Sequence, residues 1–356
     1  MAMKRMVFPI LCMLLLGCSG DEVAPTPPAT TMYFPPISSN EWETTSVASL
    51  DWNTSAIPSL LSFLEENNTR SFMILVNGRI VMEEYFNGHG VNDTWQWNSA
   101  GKTLVTSTTG IAQQNGLINI ESKVSDYIGP GWTSTTTEQE NLISVKNLLS
   151  MTSGLDDEPQ LVIKSNLTYV ADAGTRWAYG NVFQRLMNVV EAESNMPFED
   201  YFARELGDKI GMDGFWNKGF IYTIYHSTTR SMARFGLLAL NQGTWDDAPI
   251  IHQDFFLESI ASSQDINPSY GYMWWLNGKE SYMVPSSQEV FSGTLVPNAP
   301  GDMYAAMGAK EQRIYLVPSQ NMVVVRMGDA ANPNDTNFAV SGFDNTLWEK
   351  IREVTE

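Results

Sequence analysis

Runs with strand character sit at both ends of the chain, and the stretch between them reads as helices. Residues 71–76 and 79–86 are apolar, β-branched runs on either side of Asn77-Gly78. That dipeptide favours a two-residue hairpin turn. Far along the chain, 270–276 is rich in aromatics, and 303–307, 313–317 and 322–327 are three more short runs. Helical spacing of apolar residues marks 100–114, 145–150, 183–194, 198–206, 231–241 and 343–354. Strands at opposite ends of a chain bury their faces most simply in one sheet. The pattern predicts an α+β fold: an antiparallel sheet from both chain ends, flanked by helices, with a helical region inserted at about 118–245. A cleft between sheet and insertion is where a small-molecule site belongs.

The start of the chain reads as an address. Lys4 and Arg5 precede an apolar run that ends in Leu15-Leu16-Gly17-Cys18. A basic start, a short apolar stretch and a small residue before the cut make a secretory signal, residues 1–17. The run is too short for a permanent membrane span. Its ending resembles a bacterial lipobox, which implies lipid on Cys18 and an exported lipoprotein, held on the periplasmic side or at the cell surface. Residues 18–40 hold several prolines and little periodicity, as a tether does. The catalytic body is then 41–356. Cys12 leaves with the signal and Cys18 carries lipid, so no cysteine is left for a disulfide.

Composition removes several classes of function. The formal net charge is −19, and a phosphate-binding surface needs clustered cations, so nucleic acid is not an expected partner. Three histidines and two cysteines leave little for a metal site or a histidine-based triad. His89, His226 and His252 fit no local catalytic motif. No metal or cofactor is expected.

The informative segment is Ser99-Ala100-Gly101-Lys102, at the start of the helix expected over 100–114. A spacing of three sets the lysine nitrogen beside the serine oxygen on one helix face. A serine hydroxyl is a poor nucleophile until a base takes its proton. A lysine serves as that base only if burial or nearby cations lower its pKa. The serine N–H at a helix start also points where an oxyanion can sit. Alone the motif is weak, since roughly one such match is expected by chance in a chain of this composition. Further on, Tyr179-Gly180-Asn181 stands in a loop before a helix, and Ala306-Met307-Gly308-Ala309 ends a strand run.

With Leu148-Leu-Ser-Met-Thr-Ser-Gly-Leu155 between them, and Val317-Pro318 late in the chain, these motifs follow a familiar order. Over residues 60–350 the chain resembles serine hydrolases of the class C β-lactamase and penicillin-recognising type. The resemblance implies the β-lactamase/transpeptidase-like fold. It implies Ser99 as acyl-accepting nucleophile, Lys102 as the group that eases its deprotonation, and Tyr179 as the relay that carries the proton to the leaving group. Asn181 becomes a supporting residue or a ligand to the substrate carbonyl. The oxyanion hole falls to the backbone N–H groups of Ser99 and Ala309, with Gly308 allowing close approach.

The chain departs from that pattern in one place. Where β-lactamases and transpeptidases carry Lys-Thr-Gly on the late strand to hold a carboxylate, this chain has Ala306-Met307-Gly308. The following Gly308-Ala-Lys-Glu-Gln312 is more like members that act as esterases or on 6-aminohexanoate oligomers, although Lys310 and Glu311 replace His and Gly there. The leading expectation is a serine hydrolase of carboxylic esters or small amides, with a small-molecule partner. A β-lactamase or D-Ala-D-Ala carboxypeptidase-type cell-wall enzyme is the second reading. A non-catalytic binding protein of the same fold is the third. Trp95, Trp97, Trp177, Trp274 and Trp275 are candidates for an apolar acyl pocket. Tyr169 is a candidate to reach the cleft, and Lys310 to supply it with a cation. Oligomeric state is not legible.

Overall fold

A computed structural model describes residues 31–219, 221–334 and 342–356. Cys18 and the proposed signal lie outside the described residues. The hairpin forms as β1 (Thr69–Val76) and β2 (Arg79–Tyr85). Its turn places Asn77 and Gly78 at φ 49° and 78°, the left-handed pair that a tight hairpin needs. Next along the chain come β3 (Trp95–Gln96), β4 (Gly214–Lys218), β5 (Thr223–Ser227) and β6 (Trp275–Leu276). The late strands are β7 (Tyr304–Gly308), β8 (Gln312–Val317) and β9 (Met322–Gly328).

The main sheet is antiparallel with order β2-β1-β9-β8-β7-β6. The early hairpin thus pairs with the last strand, as the end-to-end pattern predicts. All residues of β7, β8 and β9 are buried, because helices cover both faces. One face carries α1 (Ile57–Glu66) and the terminal α5 (Gly342–Thr355), which pack on each other. The other carries α4 (Thr229–Leu240), which lies across β8 and β9, while α2 (Lys102–Gln114) runs on from a 3-10 turn that packs on β7. The remaining long helix is α3 (Arg185–Ser194), packed against α2.

The helix α2 is unusual in being buried along Lys102–Ala112 although it is rich in threonine. The hydroxyls of Thr103, Thr108 and Thr109 donate to the carbonyls of Ala100, Leu104 and Val105 at 2.7–2.8 Å. Each side chain thereby satisfies itself on its own helix and can enter the core without a distant partner.

Three expectations need correction. The stretch 118–245 is not purely helical: β4 and β5 pair within it and join β3 in a small separate sheet. That strand pair was illegible because β4 is largely exposed and shows no apolar alternation. The same stretch also ends in α4, which belongs to the main sheet. Secondly, 270–276 yields only the two residues of β6, since Met273 turns the chain with φ 60°. Thirdly, residues 31–40 of the supposed tether are docked on the body. The Arg234 guanidinium takes the carbonyls of Pro35, Pro36 and Ser39, and the Tyr33 N–H donates to Asn77 O at 2.9 Å. A Cβ on Gly78 would fall 1.9 Å from Tyr33 O, so only glycine admits this crossing. The prolines there shape a fitted strap rather than a free spacer.

Candidate active site

Ser99 stands in a 3-10 turn, Asn98–Gly101, that leads directly into α2. Asn98 holds φ 48°, a left-handed conformation that asparagine tolerates better than most residues, and its Nδ2 donates to Ala309 O at 2.8 Å. Lys102 opens α2, and its Nζ lies 2.8 Å from Ser99 Oγ. The spacing of three therefore does what the sequence predicts.

Lys102 is 4 % exposed. Its Nζ sits 4.6 Å from the ring centre of Tyr179 and 4.5 Å from that of Phe183. It forms no salt bridge among the described residues. Burial with no compensating anion pushes its pKa down to about 7. Near neutral pH a large share of Lys102 is the free amine and can accept the Ser99 proton. Burial moves Tyr179 the opposite way, up to about 12, against the opposing pull of its hydrogen bond with Ser99 and the charge of Arg313. Its phenol therefore stays protonated at neutral pH and is a donor, not a base. Two titratable groups around one hydroxyl have been pushed apart, which sorts them into a base and an acid.

The end of β7 closes on the serine turn. A Cβ on Gly308 would lie 2.4 Å from Trp97 O, 2.8 Å from Ala100 N and 3.0 Å from Ser99 N. Any side chain there would wedge the strand off the turn. Ala309 lines the same cavity as Ser99, Lys102, Tyr179 and Asn181. Asn181 is held from outside, its Nδ2 donating to the backbone and side-chain oxygens of Gln160 at 2.9 and 3.2 Å. The structure thus brings together every residue the motifs singled out around Ser99. The cavity measures about 160 Å³, comparable to an engineered void of about 150 Å³ that takes a benzene molecule.

The other candidates lie elsewhere. Trp97, Trp177, Trp274 and Trp275 are at most 1 % exposed and none lines the cavity. Trp177 and Trp275 instead pack beside Tyr179 at 6.2 and 5.8 Å. Trp95 lies under the Arg70 guanidinium and donates to Gly328 O. Lys310 is absent from the lining and sits 3.8 Å from Asp329. The Tyr169 hydroxyl is spent on Asp172. His89 packs against Tyr85 and Trp95, His226 against Phe215, and His252 precedes a short helix at Gln253–Ser259.

Sequence reasoning missed other wall residues. Asp157, Gln160, Phe183, Tyr222 and Ile224 line the cavity, and Asp157 meets Arg176 at 2.8 Å. They come from loops, from the 3-10 turn Val182–Gln184 and from β5, where no local pattern marks a cavity wall. Also missed was Arg313. It is 1 % exposed, donates to Gly308 O at 2.6 Å, and is gripped by Asp344.

A family model described as Beta-lactamase matches residues 67–340. No curated protein matches the chain in sequence. Among solved structures, a protein from Bacteroides dorei DSM 17855 named as a beta-lactamase superposes with TM-score 0.67 at 14% identity, covering 85% of this chain and 99% of that one. One from Bacillus anthracis named as a 6-aminohexanoate-dimer hydrolase gives 0.66 at 17%, covering 88% and 86%. A family VIII carboxylesterase gives 0.62 at 14%, covering 85% and 97%.

Proposed function

Given that the chain belongs to the beta-lactamase family of serine hydrolases and has its β-lactamase/transpeptidase fold, we propose that it hydrolyses carboxylic esters or small amides through an acyl-enzyme on Ser99. The observation that carries this is the Lys102 amine, buried, unpaired and 2.8 Å from Ser99 Oγ. Lys102 takes the hydroxyl proton as Ser99 Oγ attacks the carbonyl carbon. The backbone N–H groups of Ser99 and Ala309 receive the oxyanion, and each such donor is worth about 10²–10³ in rate. Tyr179, protonated, gives a proton to the leaving alcohol or amine as its bond breaks. Water then attacks the acyl carbonyl, its proton restoring the Tyr179 phenol, and Lys102 returns its proton to Ser99 Oγ as the acyl bond breaks.

Support for esters over β-lactams comes from the cavity wall, where Lys102 is the only Lys or Arg among the described residues. Neither Lys310 nor any other cation there stands ready for a substrate carboxylate. Turnover of a chromogenic cephalosporin is expected to be slow beside that of short nitrophenyl esters.

A fluorophosphonate probe is expected to label the parent protein and not Ser99→Ala. In ester hydrolysis kcat/KM should climb with an apparent pKa of about 7, as Lys102 loses its proton, then stay level until Tyr179 ionises toward 12. Labelling that survives Ser99→Ala, or a rate that falls as pH rises through 7, would overturn the assignment.

The same proposal includes lipid on Cys18 and export. Cells fed a radiolabelled fatty acid should label the parent chain and not Cys18→Ala, and equal labelling of both would remove the anchor.

A further inference from the structure

A second cavity, of about 360 Å³, lies beside the catalytic one; Tyr222 and Thr223 line both. Its apolar lining includes Leu161, Ile163, Met187 and Ile221. Gln184 and Arg185, which follow Phe183, a neighbour of Lys102, where the chain enters α3, line the cavity as well. There Gln184 and Arg185 present donors in excess of acceptors. Arg185 Nη1 donates to Asn188 Oδ1 and Nη2 to Val162 O, both at 3.1 Å, but Nε is buried with no acceptor. Gln184 uses its Oε1 on Thr223 N, and its Nε2 is also buried without a partner.

Arg185 is exceptional for its charge. The other described arginines meet a carboxylate or, at Arg234 and Arg326, several carbonyls. Arg185 has no carboxylate, and it stands at the first turn of α3, where a helix favours an anion over a cation. The two glutamates in the same cavity are already engaged. Glu199 holds Lys218 at 2.6 Å, and Glu191 accepts from Phe198 N and Asn188 Nδ2.

We propose that this second cavity is a subsite for a carboxylate at the far end of the substrate, with Arg185 as its counter-ion, so that the natural ester or amide is a half-derivative of a dicarboxylic acid or an equivalent ω-carboxylated chain. The proposal rests on the hydrolase reading, since it needs the near end of that chain at Ser99. The carbonyl occupies the small catalytic cavity, the chain passes Tyr222, and the carboxylate reaches Arg185. A carboxylate in this cavity supplies the anion that Arg185 lacks among the described residues. A charge-assisted pair of this kind changes affinity about tenfold to a hundredfold.

The test uses the intact protein and linear dicarboxylates from succinate to sebacate. Calorimetry with Ser99→Ala, which needs no turnover, should show one chain length binding best. Adding Arg185→Gln should weaken it about tenfold to a hundredfold, and Arg185→Lys should restore part of that. With the parent enzyme, a mono-nitrophenyl ester of the preferred diacid should show about tenfold lower KM than the uncharged ester of equal length. Arg185→Gln should abolish the difference while leaving nitrophenyl acetate turnover unchanged. Dicarboxylates that do not bind, or bind equally well to Arg185→Gln, would overturn the subsite even where nitrophenyl acetate is hydrolysed. Arg185-dependent binding without any ester turnover would instead sink the hydrolase reading and leave the subsite standing.

Discussion

Lys102→Met should remove ester turnover, by about 10²–10⁴-fold, and at the same time make the protein harder to unfold. Both effects come from one fact, the burial of an amine with no anion beside it. In the native state that amine titrates near 7, and in the unfolded chain near 10.5. Between these values the unfolded chain holds the extra proton, so stability rises with pH across that window. Below about 7 the penalty is complete, because folding then either buries a charge or strips a proton. Its size is on the order of 5 kcal/mol. Methionine keeps the stem volume and omits the charge, so the melting temperature should rise by roughly 5–10 °C at pH 6. The gain should shrink toward pH 10. Calorimetric scans of parent and variant at both pH values check this. A variant that melts earlier than the parent at pH 6 would show that Lys102 is not held at a cost.

The second large effect is expected at Asp344. Arg313 and Asp344 are each 1 % exposed. Two guanidinium nitrogens donate to the two carboxylate oxygens at 2.6 and 3.0 Å, and the Tyr315 phenol donates to the same carboxylate. Asp344→Ala removes the anion that holds this cation in the core, and breaking such a pair typically costs about 3–5 kcal/mol. Denaturant unfolding should show that loss. The double change Arg313→Met with Asp344→Leu should recover much of it, because neither member of the pair is then left charged without the other. Activity should fall in Asp344→Ala as well, even where the protein is folded. The Arg313 Nη1 that donates to Gly308 O loses its anchor, and with it the strand end that lies on the serine turn. A double variant less stable than Asp344→Ala would contradict the account.

Much of the scaffold was legible because it depends on local pattern. Asn77-Gly78 marks its own turn, and the apolar runs of β7, β8 and β9 mark strands buried on both faces. Ser99 and Lys102 were legible as a pair because helical spacing fixes their separation. Tyr179 was not, on residues alone; it took the order of several motifs to single it out. Asp157, Gln160, Phe183 and Tyr222 meet only in three dimensions, and no periodicity announces such a meeting. The tryptophans misled for a physical reason: large rings near a site are needed to brace it, and Trp177 and Trp275 do so for Tyr179. Arg313 and Asp344 look like surface charges in the sequence, and only the strand register and the closing helix reveal them as a buried pair.

The docked strap at residues 31–40 has a geometric consequence. Strand register places Gly308, Gln312, Gly328 and Thr69 at one end of the main sheet, and Val76, Val317 and Met322 at the other. Ser99 is at the first end, against Gly308. Tyr33 is at the second, against the hairpin turn. An anchor at Cys18, as proposed, would therefore join the described body at the end of the sheet opposite the serine.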